Sequence, residues 1–166
     1  MRSDPPGKTA GNIDHALRLR QLWLCWILAM LFHTDLGLMP LFHGISPEIE
    51  SHVPVASLPL LFWAMMVYFL IPLSSILLIS YAASDGTRSA RWRPWKRIHF
   101  WISVIYTATN IPHLLADIFI PDSRGDQVTL MVVLVILGVL INIEGWRWWR
   151  GSQVLSHDRA EGMVRR

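Results

Sequence analysis

The residues with usable chemistry are few in this 166-residue chain, and they sit where such residues rarely sit. His33, Asp35, His43, His99, His113, Asp117 and Glu144 all lie within, or at the ends of, long apolar runs. Ionisable groups in a bilayer core are costly, and by default they mark a functional site. Imidazole and carboxylate together suit three kinds of chemistry. They can ligate a transition metal, hold a haem through imidazole, or pass protons. The single cysteine, Cys25, allows neither an intramolecular disulfide nor a cysteine-framed zinc or iron–sulfur site.

The clearest pattern runs through 99–117. His99, Ser103, Tyr106, Asn110, His113 and Asp117 are spaced 4, 3, 4, 3 and 4 residues apart. That spacing keeps side chains on one face of a helix. The seam would extend roughly 27 Å at 1.5 Å per residue, nearly the depth of a bilayer. It must face another helix, a cofactor or water, because facing lipid costs too much. Hydrogen bonding to a neighbouring helix accounts for Ser103, Tyr106 and Asn110. It accounts less well for Asp117 and His113.

The partner is expected from the run 22–43. His33 and His113 lie at about 16 and 21 Å from the starts of their runs, and Asp35 and Asp117 lie slightly further along. If the two helices touch, two imidazoles and two carboxylates converge on one layer. Pro40 and Pro112 add to this, because a helical proline frees the carbonyl four residues back, here Leu36 and Ala108.

Two cofactors follow as expectations. One is haem b held by His33 and His113, with His43 and His99 as further candidate ligands. The 14-residue interval from His99 to His113 resembles the two-histidine spacing of one helix in dihaem cytochromes b. The resemblance covers that helix alone, because Leu19 stands 14 residues before His33 and the nearest alternative is His15. The other is a transition metal ion held by His33, Asp35, His113 and Asp117. Either would suit membrane electron transfer. The rival readings are a non-catalytic accessory or assembly subunit of a larger membrane complex, and a component of a proton or ion path.

The elements that must position these residues follow from composition. Hydrophobic residues make up 52% of the chain and charged residues 16%, against about a quarter charged in soluble domains. Mean hydropathy is +0.36. Four runs are long enough to cross a bilayer, at 22–43, 54–81, 99–120 and 128–146. The expected fold is all-α, a four-transmembrane-helix bundle. It is flanked by an N-terminal tail over 1–21 and a C-terminal tail over 147–166, with the first 11 residues and the segment after Gly151 loosely ordered. The first run is preceded by 21 mostly polar residues and is broken by His33 and Asp35, which argues against a cleaved signal.

Charge orients the bundle. Fourteen of the 15 Lys and Arg fall before the first run, between the second and third, or after the fourth. Positive charge stays cytoplasmic, so both termini are expected inside, in a plasma or inner membrane. Eight of nine tryptophans cluster toward the same side, which reads as an interfacial belt. The basic residues there are expected to attract anionic lipid, with Arg88 to Arg97 as an anchor. A net charge of +3 does not indicate nucleic acid, because no binding module fits in these loops. Glu144 is expected to pair with Arg147 and Asn142 to pack. No Ser/His/Asp elbow, phosphate-cradling glycine loop or H-E-x-x-H motif is present, so hydrolase and nucleotide chemistry are not expected.

Overall fold

The computed structural model describes residues 6–44, 55–84, 90–119 and 124–164, with side chains over 14–44, 56–84, 91–119 and 124–151. Four helices account for nearly all of it. They are α1 (Pro6–Phe42), α2 (Leu58–Ser84), α3 (Arg93–Phe119) and α4 (Gly125–Val164). One-turn segments over 55–57 and 90–92 lead into α2 and α3.

Among the described residues three stretches are long and apolar enough to cross a membrane, namely Asp14–Phe42, Leu58–Ser84 and Gly125–Gly151. α3 matches α2 in length but carries the polar seam, and this lowers its hydropathy. Its buried residues are Lys96, His99, Ser103, Tyr106, Thr107 and Asn110. From His99 to Asn110 the seam read from the sequence is therefore an inward-facing stripe, whereas His113 beyond it is exposed.

α4 packs closely against both α1 and α3, and α2 packs against α1. Small residues permit the α4 contacts. A Cβ on Gly138 would lie 2.7 Å from the Thr107 side chain, and one on Gly145 would approach the His99 ring at 3.9 Å. These glycines are seven residues apart and share a face of α4. α2 joins α3 through long side chains, with Tyr68 stacked on Tyr106 at 4.3 Å between ring centroids. The N-terminal stretch of α2, from Pro59 to Val67, is exposed and apolar.

Two expectations change. α1 starts at Pro6 and α4 continues to Val164, in place of the loosely ordered segments that composition suggests. Proline suits the first turn of a helix, and no proline follows Gly151 to stop one. The tryptophan belt is also not uniformly interfacial. Trp23, Trp26 and Trp148 are at most 1% exposed and form the core. Only Trp63 and Trp101 among the described residues are largely exposed. The acidic residues Glu48, Glu50 and Asp122 lie outside the described residues, as do Arg88 and His52; the side chain of His157 is likewise not described.

Candidate functional site

The site stands where side chains of α1 and α3 meet, toward the α1 C-terminus. His113 and Asp117 are four residues apart, so one turn of α3 presents both on one face. α1 contributes His33 opposite them. His33 Nε2 lies 3.9 Å from Asp117 Oδ2, and His113 Nε2 lies 3.9 Å from Asp117 Oδ1. The two imidazole centroids are 5.8 Å apart with their planes at 72°. One ligand atom from each of the three residues falls within 4.8 Å of the others.

These separations are too long for hydrogen bonds. The His33 and Asp117 side chains are nevertheless only 11% and 15% exposed. His33 Nδ1 and Asp117 Oδ2 are buried without a hydrogen-bond partner. Leaving such groups unsatisfied costs about 1–3 kcal/mol each, more when charged. An ion among the three would satisfy the Asp117 carboxylate and use the Nε2 atoms that face it, while His33 Nδ1 would still want a partner. With bonds of about 2.0–2.2 Å, ligand atoms in a tetrahedral site lie about 3.4 Å apart. Small side-chain rotations from the present geometry would reach that. His113 is 55% exposed, so one side of the cluster is open.

A second layer braces this end. Pro40 lies in the last turn of α1 and cannot donate to Leu36 O. Arg124 Nη1 donates to that carbonyl at 3.1 Å, tying the approach to α4 onto α1. The same guanidinium pairs with Asp126, with Nη2 to Oδ2 at 2.5 Å and Nε to Oδ1 at 3.2 Å. Gly37 admits Gln127 close to the α1 backbone.

The other candidate residues are distributed along the bundle. Asp35 and His43 are exposed and stand outside the three-residue group. Ser103, Tyr106 and Asn110 form the middle of the seam and bond within α3 and to Tyr68 of α2. Ser103 Oγ donates to Phe100 O at 2.8 Å and Thr107 Oγ1 to Ser103 O at 2.8 Å. Asn110 Nδ2 donates to Tyr106 O at 2.9 Å and Tyr106 OH to Tyr68 O at 3.3 Å. Tyr68 OH donates to Asn110 Oδ1 at 3.2 Å. The first three of these bonds stay within α3, and the two that involve Tyr68 tie α3 to α2.

His99 lies toward the opposite end, in an aromatic shell. It is fully buried, and Trp23 Nε1 donates to its Nε2 at 3.0 Å. The rings of Trp23, Trp95 and Trp148 surround it, with centroids 5.9–6.1 Å away. The Lys96 ammonium rests over the Trp148 ring at 4.6 Å. Burial, reinforced by the nearby Arg93 charge, pushes the Lys96 amine down to about 8. Glu144 binds Arg147 Nη1 at 2.9 Å, as the i+3 spacing indicates, and also His15 Nδ1 at 2.6 Å. Asn142 Nδ2 donates to Thr107 Oγ1 at 3.1 Å.

Four contributors were not anticipated from the sequence. Tyr68 could have been suspected as the one tyrosine in the middle of an otherwise apolar run. Arg124 could have been suspected as the single basic residue on its side of the chain. The His15–Glu144 and Trp23–His99 pairs span 129 and 76 residues and carry no local signal.

No protein-family model matches this chain, and no curated protein or solved structure is significantly similar to it.

Proposed function

We propose that this is an integral membrane protein that holds a divalent transition-metal ion between His33, His113 and Asp117 and uses it in membrane electron transfer. The observation that carries the reading is the unsatisfied cluster. Two imidazoles and a carboxylate from two helices are gathered with their ligand atoms within 4.8 Å, His33 and Asp117 largely buried, and not hydrogen-bonded to one another. Two histidines and one carboxylate are a ligand set for copper, iron or zinc. Three protein ligands leave a coordination position open, as in reactive sites and unlike closed structural ones. The exposed flank of His113 supports that position.

The same geometry favours an ion over haem. Each oxygen of Asp117 reaches toward one of the two Nε2 atoms that would have to face the iron. A porphyrin sheet would need the space that this carboxylate enters. The hydrogen bonds of the seam, made within α3 and to Tyr68, likewise weigh against a proton path along it.

In this reading all four helices cross the membrane, α3 with its seam turned inward, and both termini are cytoplasmic. The metal centre then lies in the outer half of a plasma or inner membrane. The support is the placement of fourteen of the 15 basic residues.

The test is elemental analysis of protein purified in mild detergent, with a reduced-minus-oxidised spectrum. The expected result is one copper or iron per chain and no haem bands, with a d–d spectrum on Co(II) substitution; stoichiometric zinc, which has no redox chemistry, would keep the ion site and overturn electron transfer. Absence of any stoichiometric metal, together with no Co(II) binding, would remove the proposal. A haem spectrum would replace the ion with the other cofactor.

A further inference from the structure

The opposite end of the bundle presents a different unmet need. Three N–H donors around His99 lack acceptors among the described residues: Trp95 Nε1, Trp148 Nε1 and His99 Nδ1 are all buried and unpartnered. The state of His99 follows from its one hydrogen bond. Trp23 Nε1 donates to His99 Nε2, so Nε2 must carry a lone pair. A neutral imidazole has one N–H, which is therefore on Nδ1. The Trp95 and Trp148 rings lie 5.9 and 6.1 Å from the His99 ring. The shell is one of donors, and an acceptor is what it lacks.

Cationic side chains stand nearby, with the buried Glu144 carboxylate next to Gly145 on the α4 side. Trp95 and Lys96 lie in the first turn of α3, a 27-residue helix. The free backbone N–H groups and the dipole there favour negative charge. Lys96, fully buried, lies against Trp148. The exposed Arg93 and Arg97 flank it along α3. His99 and Trp148 are fully buried, whereas Trp95 is half-buried, so the way in is past Trp95 and from the basic side.

We infer that the start of α3 forms an oxyanion site, in which Trp95, Trp148 and His99 donate to a phosphate group. The ligand class is set by the donors. It must offer several acceptor oxygens and no hydrogens, and it must carry negative charge. A phosphodiester of an anionic phospholipid and free inorganic phosphate share that chemistry. At the basic end of membrane-spanning helices, the headgroup is the source already at hand.

The experiment uses the full chain in detergent and reads lipid retention by native mass spectrometry. The probes are phosphatidylglycerol, phosphatidylcholine and inorganic phosphate. The Trp95→Phe/Trp148→Phe double variant keeps an aromatic ring at both positions and removes two N–H donors, and Trp101→Phe on the exposed face is the control. Wild type should retain phosphatidylglycerol over phosphatidylcholine, and the double variant should lose at least about tenfold in retention. The control should behave as wild type. If inorganic phosphate alone binds wild type and not the double variant, the site holds with a free anion as its ligand. Equal retention of both lipids and phosphate by wild type and double variant would overturn it. Because this readout involves no metal, it stands or falls separately from the His33–His113–Asp117 centre.

Discussion

The two ends of α3 carry histidines with opposite surroundings. His99 sits at zero exposure, bonded to Trp23 and enclosed by three indoles. His113 is half exposed and stands 3.9 Å from a carboxylate it does not hydrogen-bond. The end around His99 is built from large apolar rings that fill space and fix helix positions. The end around His113 is built from small contacts, a proline-freed carbonyl and one arginine. An aromatic core can be rigid without a ligand. A cluster of two imidazoles and a carboxylate is left short of partners, and this is the need that the proposed cation would meet. The difference separates an enclosed aromatic end, short of hydrogen-bond acceptors, from an open imidazole–carboxylate end, short of a cation, within one helix.

The contrast can be broken most sharply at the carboxylate. Asp117→Asn should weaken Co(II) or Zn(II) binding by more than the roughly 100-fold typical of outer ligand-orienting groups. Asp35→Asn should leave it unchanged, since Asp35 stands outside the group. Equilibrium dialysis with metal analysis compares the two, and equal losses would erase the distinction between them.

The aromatic end and its α4 contact should respond in stability. A methyl at Gly138 meets Thr107 at 2.7 Å, so Gly138→Ala should cost about 1–3 kcal/mol by overpacking. Trp23→Phe keeps an aromatic ring and strands His99 Nε2, with an expected loss of about 1–3 kcal/mol. Thermal or denaturant unfolding in detergent measures both, and neither variant should alter metal stoichiometry. A change in stoichiometry would mean the two ends are coupled.

Arg124→Gln removes the donor to Leu36 O and the pairing with Asp126. It should lower metal affinity by about tenfold through the position of His33, in the range of effects seen for groups that orient a ligand, with little change in unfolding temperature. The reverse pattern would make Arg124 a structural tie alone.

The smallest effect is a pH slope at the aromatic end. Lys96 is held near 8 in the folded chain against an ordinary value of 10.5. Between those values the unfolded chain binds more protons, so stability should rise with pH across that window. Lys96→Met should flatten the slope. A slope that persists in that variant would assign it to another group.

Residue spacing makes much of this arrangement legible. The intervals between His99, Ser103, Tyr106, Asn110, His113 and Asp117 are enough to place them on one face, because helical periodicity is local. The same rise per residue puts His33 level with His113. Four long helices follow from hydrophobic run lengths. Glu144 with Arg147 follows from an i+3 interval. The ends of α1 and α4 are not legible, since tail composition weakly opposes helix and nothing in it forbids one.

What the tertiary structure decided was which of the aligned groups meet. Asp35 and Asp117 are equivalent by sequence, yet only Asp117 joins the two histidines, because helix rotation about its own axis is set by packing. Packing among the helices likewise places Trp23, Trp26 and Trp148 in the core, where an interfacial belt was expected. The amino-acid order determines the period of a helix and the residues on each face. Only the contacts among helices determine where each face points, and that direction separates a candidate ligand from an exposed carboxylate.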